Sequence, residues 1–219
     1  MLQLRKEQMQ AFAAAAEERF AVELVDHLFH FSPFHARQLG TDVVGSIVRY
    51  GIEKAKAYGF TQKGPIRFYL ELMFLLGSAF DSDPQFLWLS GPLFLDQSPL
   101  TEISRAQQAF HATTRYLDEV AGAENCLVYQ SLLRVRSHGF LVHSPHAAPT
   151  TPQLLNELGI ISPEKAKFLG EDCLAALIQR SQSEVVRIGS NRASDYALLT
   201  LLMYGLGHGD VWKTPNSPG

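Results

Sequence analysis

Histidines are the residues of this sequence best suited to chemistry, and they fall into two groups. His27, His30 and His35 lie near the end of the first helical pattern. His27 and His30 are three residues apart, so they could share a helix face and, with Asp26, bind a metal ion. The spacing differs from HExxH, however, and His35 follows the Ser32-Pro33 turn. Partly buried or surface histidines explain this group better, and we predict no metal site.

The second group comprises His138, His143 and His146, which lie at the start of and within a segment, 139–152, that contains three prolines and has no sustained periodicity. A catalytic base could lie in such a loop, but no serine or cysteine nearby has a recognisable activating arrangement. We therefore predict no catalytic residue, no cofactor and no enzymatic activity. A small metal-dependent hydrolase that uses a histidine cluster remains the alternative from another class.

Asp81 and Asp83 resemble the beginning of a calcium-binding loop, but Pro84 follows where further ligands are needed. The pair is better explained as an exit turn after a helix that ends at Gly77. The glycine-rich run 205–210 follows a helix instead of preceding one, which makes it a poor phosphate cradle.

Large aromatic residues in irregular segments are the remaining candidates. Either they cap the hydrophobic core, or they anchor a partner protein, since binding energy concentrates in buried aromatic side chains. We predict a partner-binding set in the loops 78–97, 139–152 and 207–214, formed by Phe80, Asp81, Asp83, Phe86, Trp88, Phe140, His208, Asp210 and Trp212.

Composition excludes several classes of protein. The 219 residues include 19 basic and 22 acidic ones, for a net charge of −3, which argues against a general nucleic-acid binder. No apolar run approaches the roughly 18 residues that span a membrane, and the N-terminus lacks a signal-peptide pattern. We expect a cytoplasmic protein without membrane contact. Cys126 and Cys173 are predicted to be free thiols buried in apolar helical patterns.

Helical periodicity runs through the whole chain, and no segment alternates as a strand does. The sequence therefore predicts an all-α fold. The helices are expected at about 5–30, 42–58, 65–77, 99–119, 124–137, 152–158, from 163 to beyond Val185, and 193–206. A break can occur near Phe20, and a long aromatic connection covers 81–98.

An internal repeat appears when the chain is aligned with itself at an offset of 130 residues. Tyr58-Gly59 falls on Ile188-Gly189, and Leu72-Met73-Phe74 falls on Leu202-Met203-Tyr204. The sequence thus predicts a helical bundle with two repeated hairpins, at about 42–88 and 172–212. We expect a single domain, 1–219, with pseudo-symmetric halves 1–90 and 165–212 joined by a helical insertion, 91–164.

Four motifs carry a family resemblance: the run from Arg49 to Ala55, Tyr58-Gly59-Phe60, the run from Tyr69 to Gly77, and Phe80-Asp81-Ser82-Asp83-Pro84. Over about residues 5–90 the chain resembles small helical bacterial proteins encoded beside spike or effector genes of type VI secretion systems. The resemblance implies a non-catalytic immunity protein that neutralises a cognate secreted toxin by steric occlusion. The alternatives that it leaves are an adaptor for loading the effector onto the spike and a structural part of the machinery.

Overall fold

Helices make up all the regular structure in a computed structural model that describes residues 6–94, 100–138, 148–190 and 192–207. Over these ranges the chain forms ten α-helices and no strand, which confirms the predicted all-α bundle. The α-helices are α1 (Lys6–Phe31), α2 (Pro33–Leu39), α3 (Thr41–Ala57), α4 (Lys63–Leu76), α5 (Ser90–Phe94), α6 (Glu102–Val120), α7 (Cys126–His138), α8 (Thr151–Ile161), α9 (Pro163–Arg187) and α10 (Ala193–Leu206). Short 3-10 helices cover Phe80–Ser82, Pro84–Leu89 and Ala123–Asn125.

Most helix boundaries follow the sequence pattern closely. Helix α10 begins and ends at the predicted residues, and α4 ends one residue before Gly77. The break expected near Phe20 is absent, because α1 is continuous from Lys6 to Phe31. The connection expected over 81–98 is instead largely helical as far as it is described, with two 3-10 turns and α5.

Two compact units divide the chain. Unit 1 comprises residues 1–75 and 96–106, and unit 2 comprises residues 76–95 and 107–219. The prediction of one domain with an insertion at 91–164 stays a prediction. Within the described residues, no helix combines the length and the apolar character that crossing a bilayer requires.

The repeat extends further than the two predicted hairpins, and its register is the same throughout. Helix α9 is interrupted at Gly170, so its parts 163–169 and 171–187 correspond to α2 and α3, and α10 corresponds to α4. Gly40 and Gly170 share nearly the same backbone angles, φ 80° and ψ 161° against φ 77° and ψ 165°. Only glycine occupies this region without strain, so glycine is required at both helix junctions.

Equivalent helix ends also match in detail. Ser32 is the N-cap of α2 and has φ −136° and ψ 70°. Ser162 is the N-cap of α9 and has nearly the same angles, φ −139° and ψ 80°. After α3, Gly59 has φ 73° and the Phe60 amide donates to the Ala55 carbonyl at 3.0 Å. After α9, Gly189 has the same φ, and the equivalent bond from the following amide measures 3.1 Å. Both ends are therefore Schellman motifs, as the predicted glycine stop at 59 requires.

Each unit has its own hydrophobic core, built from equivalent positions of the repeat. The pairs at these positions are all buried in both copies: Leu24 and Leu154, Leu28 and Leu158, Val44 and Leu174, Val48 and Ile178, Ala55 and Val185, and Met73 and Met203. This agreement shows that the apolar face of each helix is set by the shared heptad-like spacing, because side chains at i, i+4 and i+7 face the same direction.

The helix crossing at the centre of each copy uses different chemistry. In unit 1, α3 passes so close to α4 that a Cβ at Gly51 would lie 2.3 Å from Leu70 Cδ2. At the equivalent place in unit 2, the Ser181 and Thr200 hydroxyls hydrogen-bond at 2.6 Å, both fully buried. Close backbone approach in one copy is thus replaced by a buried hydroxyl pair in the other.

The prediction that both cysteines are buried is not met by either residue. Cys126, the first residue of α7, is exposed, whereas Cys173 in α9 is half-buried, and both are free thiols. The apolar pattern of α7 misled the prediction, because several of its apolar side chains face away from the core: Val128, Tyr129, Leu132 and Leu133 are all exposed.

Candidate functional site

The predicted partner-binding residues fall into two sets. Phe140, His208, Asp210 and Trp212 lie outside the described residues. The other five belong to one segment of unit 2, residues 80–89, which contains both 3-10 turns that follow α4. Within it, the side chains of Phe80, Asp83 and Phe86 are buried, and those of Asp81 and Trp88 are half-buried.

Residues within this segment cap the turn between its two 3-10 helices. Asp83 is the N-cap of the second 3-10 helix, since its Oδ1 accepts a hydrogen bond of 2.9 Å from the Gln85 amide. Pro84 follows at the first helical position, where its missing N–H costs nothing. The exit turn predicted at Asp83-Pro84 is therefore present as a capped helix start.

Buried polar contacts hold the segment against helices of the same unit. The Gln85 side-chain amide donates to the Met203 carbonyl at 2.9 Å and to Asp83 Oδ2 at 3.2 Å. The Arg180 guanidinium adds an exposed bond, to the Ser82 carbonyl at 3.1 Å. The buried contacts of Gln85 matter because an unpaired buried polar group costs roughly 1–3 kcal/mol.

Lys165 lies in the same polar interior and was not singled out from the sequence. Its Nζ donates to the Tyr204 carbonyl and lies 4.6 Å from the centre of the Tyr204 ring. Burial lowers the pKa of Lys165 to about 8, and the Asp83 carboxylate acts in the opposite direction. Burial also raises the pKa of Tyr116, with a further contribution from Asp83.

A buried lysine with a lowered pKa is a nucleophile in some enzymes. Here the Nζ atom is already engaged by the carbonyl and the ring of one residue, Tyr204, whose hydroxyl in turn donates to the Ser162 carbonyl at 3.0 Å. The arrangement fastens α10 to the start of α9. One signal in the sequence could have pointed to it: Lys165 is four residues before the buried Leu169, on the inward face of the same helix.

Three aromatic rings from separate parts of unit 2 meet beside this interior. Trp88 stacks on Tyr116 with ring centres 5.2 Å apart, and Phe168 meets Tyr116 edge to face at 5.2 Å. Trp88 and Phe168 are 5.9 Å apart. Edge-to-face and stacked pairs of this kind add about 0.5–1.5 kcal/mol each beyond the area that they bury.

An open cleft of about 620 Å³ lies against this cluster, and we call it the Trp88 cleft. It is lined by Trp88, Arg115, Glu119, Glu164, Lys167, Phe168, Leu169 and Cys173. Its wall is aromatic and its rim is charged. The Arg115 Nε donates to Glu119 Oε1 at 2.7 Å, so these two charges neutralise each other.

The other two charges of the rim are less engaged. Within the described part of the chain, Lys167 makes no ion pair, and the buried Oε2 of Glu164 has no hydrogen-bond partner. Glu164 is in the first turn of α9, where the helix dipole stabilises a carboxylate. The cleft therefore offers an aromatic wall, formed by Trp88 and Phe168, together with one exposed cation, Lys167, that is available for pairing.

The histidine groups do not form a common site in the described residues. His27 hydrogen-bonds Glu71 at 2.7 Å, His30 pairs with the Asp26 carbonyl at 2.8 Å, and His35 pairs with Ser32 at 2.9 Å. A cavity of about 280 Å³ in unit 1 is lined by His27 but by neither of the others.

Metal ligands are likewise dispersed. Over the described ranges, no group of three histidine, cysteine or acidic side chains is arranged to hold a metal ion. His143, His146 and the side chain of His138 lie outside these ranges.

Comparisons of the chain with models of known protein families, with curated proteins and with solved structures find no match. The resemblance to proteins of type VI secretion loci therefore rests on the quoted residues alone.

Proposed function

We propose that this chain is a non-catalytic binding protein that receives a partner protein in the Trp88 cleft. The observation that carries the proposal is the half-buried Trp88, held by stacking on Tyr116 at the wall of an open cleft. Tryptophan and arginine beside a well-packed aromatic patch are typical of the residues that dominate protein interfaces. A rigidly held ring also loses little conformational freedom on binding.

The charges of the cleft favour a partner of mixed charge. The exposed Lys167 is available for an acidic side chain, while the aromatic wall suits a basic one through cation–π contact. Complementary charges of this kind give specificity and steer association more than they add affinity. Binding through a shape-complementary surface needs no nucleophile. The proposal therefore gives no catalytic role to the histidines or to Lys165.

The resemblance to proteins of type VI secretion loci supports a more specific proposal. The partner would be a secreted toxin encoded next to this chain, which is kept inactive in the cytoplasm when this chain covers its active site. Loading of the same effector onto the secretion spike is the second proposal, and it predicts binding to the spike protein in addition to the toxin.

Co-purification with the product of the neighbouring gene tests the binding proposal, and survival of cells that express the toxin tests immunity. Absence of both a complex and protection would overturn the immunity proposal. Metal analysis of the purified protein tests the hydrolase alternative, which requires a stoichiometric metal ion.

The cleft itself is tested by charge reversal. We expect Lys167→Glu to weaken the complex at least about tenfold, which corresponds to roughly 1.4 kcal/mol. Arg136→Glu in α7 is the matched control, since Arg136 is an exposed cation of unit 2 that does not line the cleft. Equal affinities for both variants would show that the partner binds elsewhere.

A further inference from the structure

Both parts of the aromatic wall of the Trp88 cleft are fixed to the same turn of one helix. One part is Trp88, from the segment 80–89, and the other is Phe168, from the start of α9. The last turn of α10 carries the carbonyl groups of Met203 and Tyr204. Each of these carbonyls accepts a hydrogen bond from a buried side chain that belongs to a different part of the wall.

Gln85 joins the first part of the wall to this turn. Its side chain is fully buried, and the amide nitrogen donates to the Met203 carbonyl at 2.9 Å and to the Asp83 carboxylate at 3.2 Å. Both neighbours are acceptors, so the nitrogen of the amide has to face them. The backbone carbonyl of Gln85 accepts a hydrogen bond of 3.0 Å from Trp88 Nε1. The orientation of the indole ring therefore depends on where Gln85 is held.

Lys165 joins the second part of the wall to the same turn. Its ammonium group donates to the Tyr204 carbonyl, and it belongs to the part of α9 before Gly170, which also contains Phe168. The Phe168 ring in turn lies 5.9 Å from the Trp88 ring. Donors and cations are favourable at this end of α10 because the last carbonyls of a helix carry partial negative charge. The turn thus holds both parts of the wall by the same kind of bond.

We propose that the last turn of α10 sets the geometry of the aromatic wall, and that Gln85 and Lys165 are its positioning residues. Among the described residues, those that line the cleft include neither of them. Gln85 therefore acts through Trp88, and Lys165 acts through Phe168. Movement of this turn changes the position of both rings together, so it regulates what the cleft can bind. The inference rests on the proposed function, which gives the cleft its role in binding a partner.

Gln85→Met breaks the first link without removing the structures at either end of it. The Met203 carbonyl also accepts a hydrogen bond of 3.0 Å from the Gly207 amide, so the end of α10 keeps its own bond. The Gln85 backbone amide also keeps its bond to Asp83 Oδ1, which caps the 3-10 helix. Methionine has a similar length and no donor. The variant therefore tests the link from α10 to Trp88 and leaves both helix ends capped.

Tryptophan fluorescence tests the proposal on the full chain without a partner. The chain has two tryptophans, so Trp212→Phe leaves Trp88 as the single tryptophan that emits. In this background we expect Gln85→Met and Lys165→Met each to shift the emission to longer wavelength. Each should also raise the acrylamide quenching constant at least about twofold, because a part of the wall that is released from α10 opens more often.

Arg180→Met is the matched control. It removes the bond to the Ser82 carbonyl, which belongs to the same segment as Trp88 but is exposed to solvent. Because water replaces an exposed bond, emission and quenching should stay unchanged. Circular dichroism verifies that each variant keeps its helix content. If Gln85→Met does not fold, NMR of the Trp212→Phe chain replaces it, and the Trp88 indole N–H should exchange with solvent more slowly than that of free indole.

Three results would overturn the proposal. The first is unchanged quenching in either Gln85→Met or Lys165→Met, which would show that α10 does not hold that part of the wall. The second is an equal increase in Arg180→Met, which would show that any contact of the segment has the same effect. The third is an indole N–H of Trp88 that exchanges as fast as free indole. No partner is used in these measurements, so their failure is distinct from the absence of a complex.

Discussion

Burial of Lys165 makes the stability of unit 2 depend on pH in the alkaline range. The pKa of its ammonium is about 8 in the folded chain, against an ordinary value of 10.5. Between these two values the unfolded chain binds more protons than the folded chain. Stability therefore rises as the pH rises through this window, since the folded state no longer has to bury a charge.

The magnitude follows from the two pKa values. For a single group that titrates at 8 when folded and at 10.5 when unfolded, the free energy of unfolding increases by about 2 kcal/mol between pH 8 and pH 10. Tyr116 and Tyr204 oppose this above about pH 10, because burial raises their pKa values and the folded state then keeps protons that the unfolded state has lost. We expect maximum stability near pH 10.

Denaturant unfolding at pH 8, 9 and 10, followed by tryptophan fluorescence, measures this increase. Lys165→Met is the matched control, because methionine has a similar length and no charge, so its stability should be nearly constant from pH 8 to pH 10. A wild-type chain that is no more stable at pH 10 than at pH 8 would refute the reasoning. The same increase in the methionine variant would assign the effect to another group.

Three further predictions concern packing and capping, each measured as a change in the free energy of unfolding. Gly51→Val should destabilise unit 1 by about 1–3 kcal/mol, because the new Cβ would lie 2.3 Å from Leu70 Cδ2, and an unchanged midpoint would mean that α3 and α4 are not in close contact. Ser181→Ala should cost about 0.5–1.5 kcal/mol, because the Thr200 hydroxyl loses one bond but keeps the one to the Tyr196 carbonyl, whereas no cost would indicate that the buried pair is not formed. Thr150→Ala removes the capping box of α8 and should lower the free energy of unfolding by about 1 kcal/mol. Amide hydrogen exchange should become faster only in the first turn of α8. An equal increase along the whole helix would contradict this prediction.

Local features of the fold were predictable because they depend on neighbouring residues. The stop at Gly59 follows from the need for a residue that tolerates positive φ, and the start of α10 follows from periodicity within one helix. The repeat was visible for the same reason, since equal spacing of apolar residues imposes equal buried faces. Its extension to Ser32 and Ser162 also has a signal in the sequence that was not used, because Ser32-Pro33 and Leu39-Gly40 recur as Ser162-Pro163 and Leu169-Gly170 at the same offset.

The candidate site was only partly predictable. Of the aromatic residues singled out from the sequence, Trp88 lines a cleft, whereas Phe80 and Phe86 are interior residues. An aromatic residue in a loop has the same sequence signature whether it covers the core or faces solvent. Which of the two occurs depends on the packing of the loop, so no single-sequence rule separates Phe86 from Trp88.

By itself the sequence determined the helical class, most helix ends and the duplication, because periodicity, glycine stops and capping residues act within a few positions along the chain. Only the tertiary structure decided which polar groups are buried and which apolar ones are exposed. Lys165 approaches Tyr204 across 39 residues, and Trp88, Tyr116 and Phe168 meet from three separate segments. These contacts are stable because parts of the chain that are distant in sequence exclude water from them. The residue pattern of a single segment therefore cannot predict them.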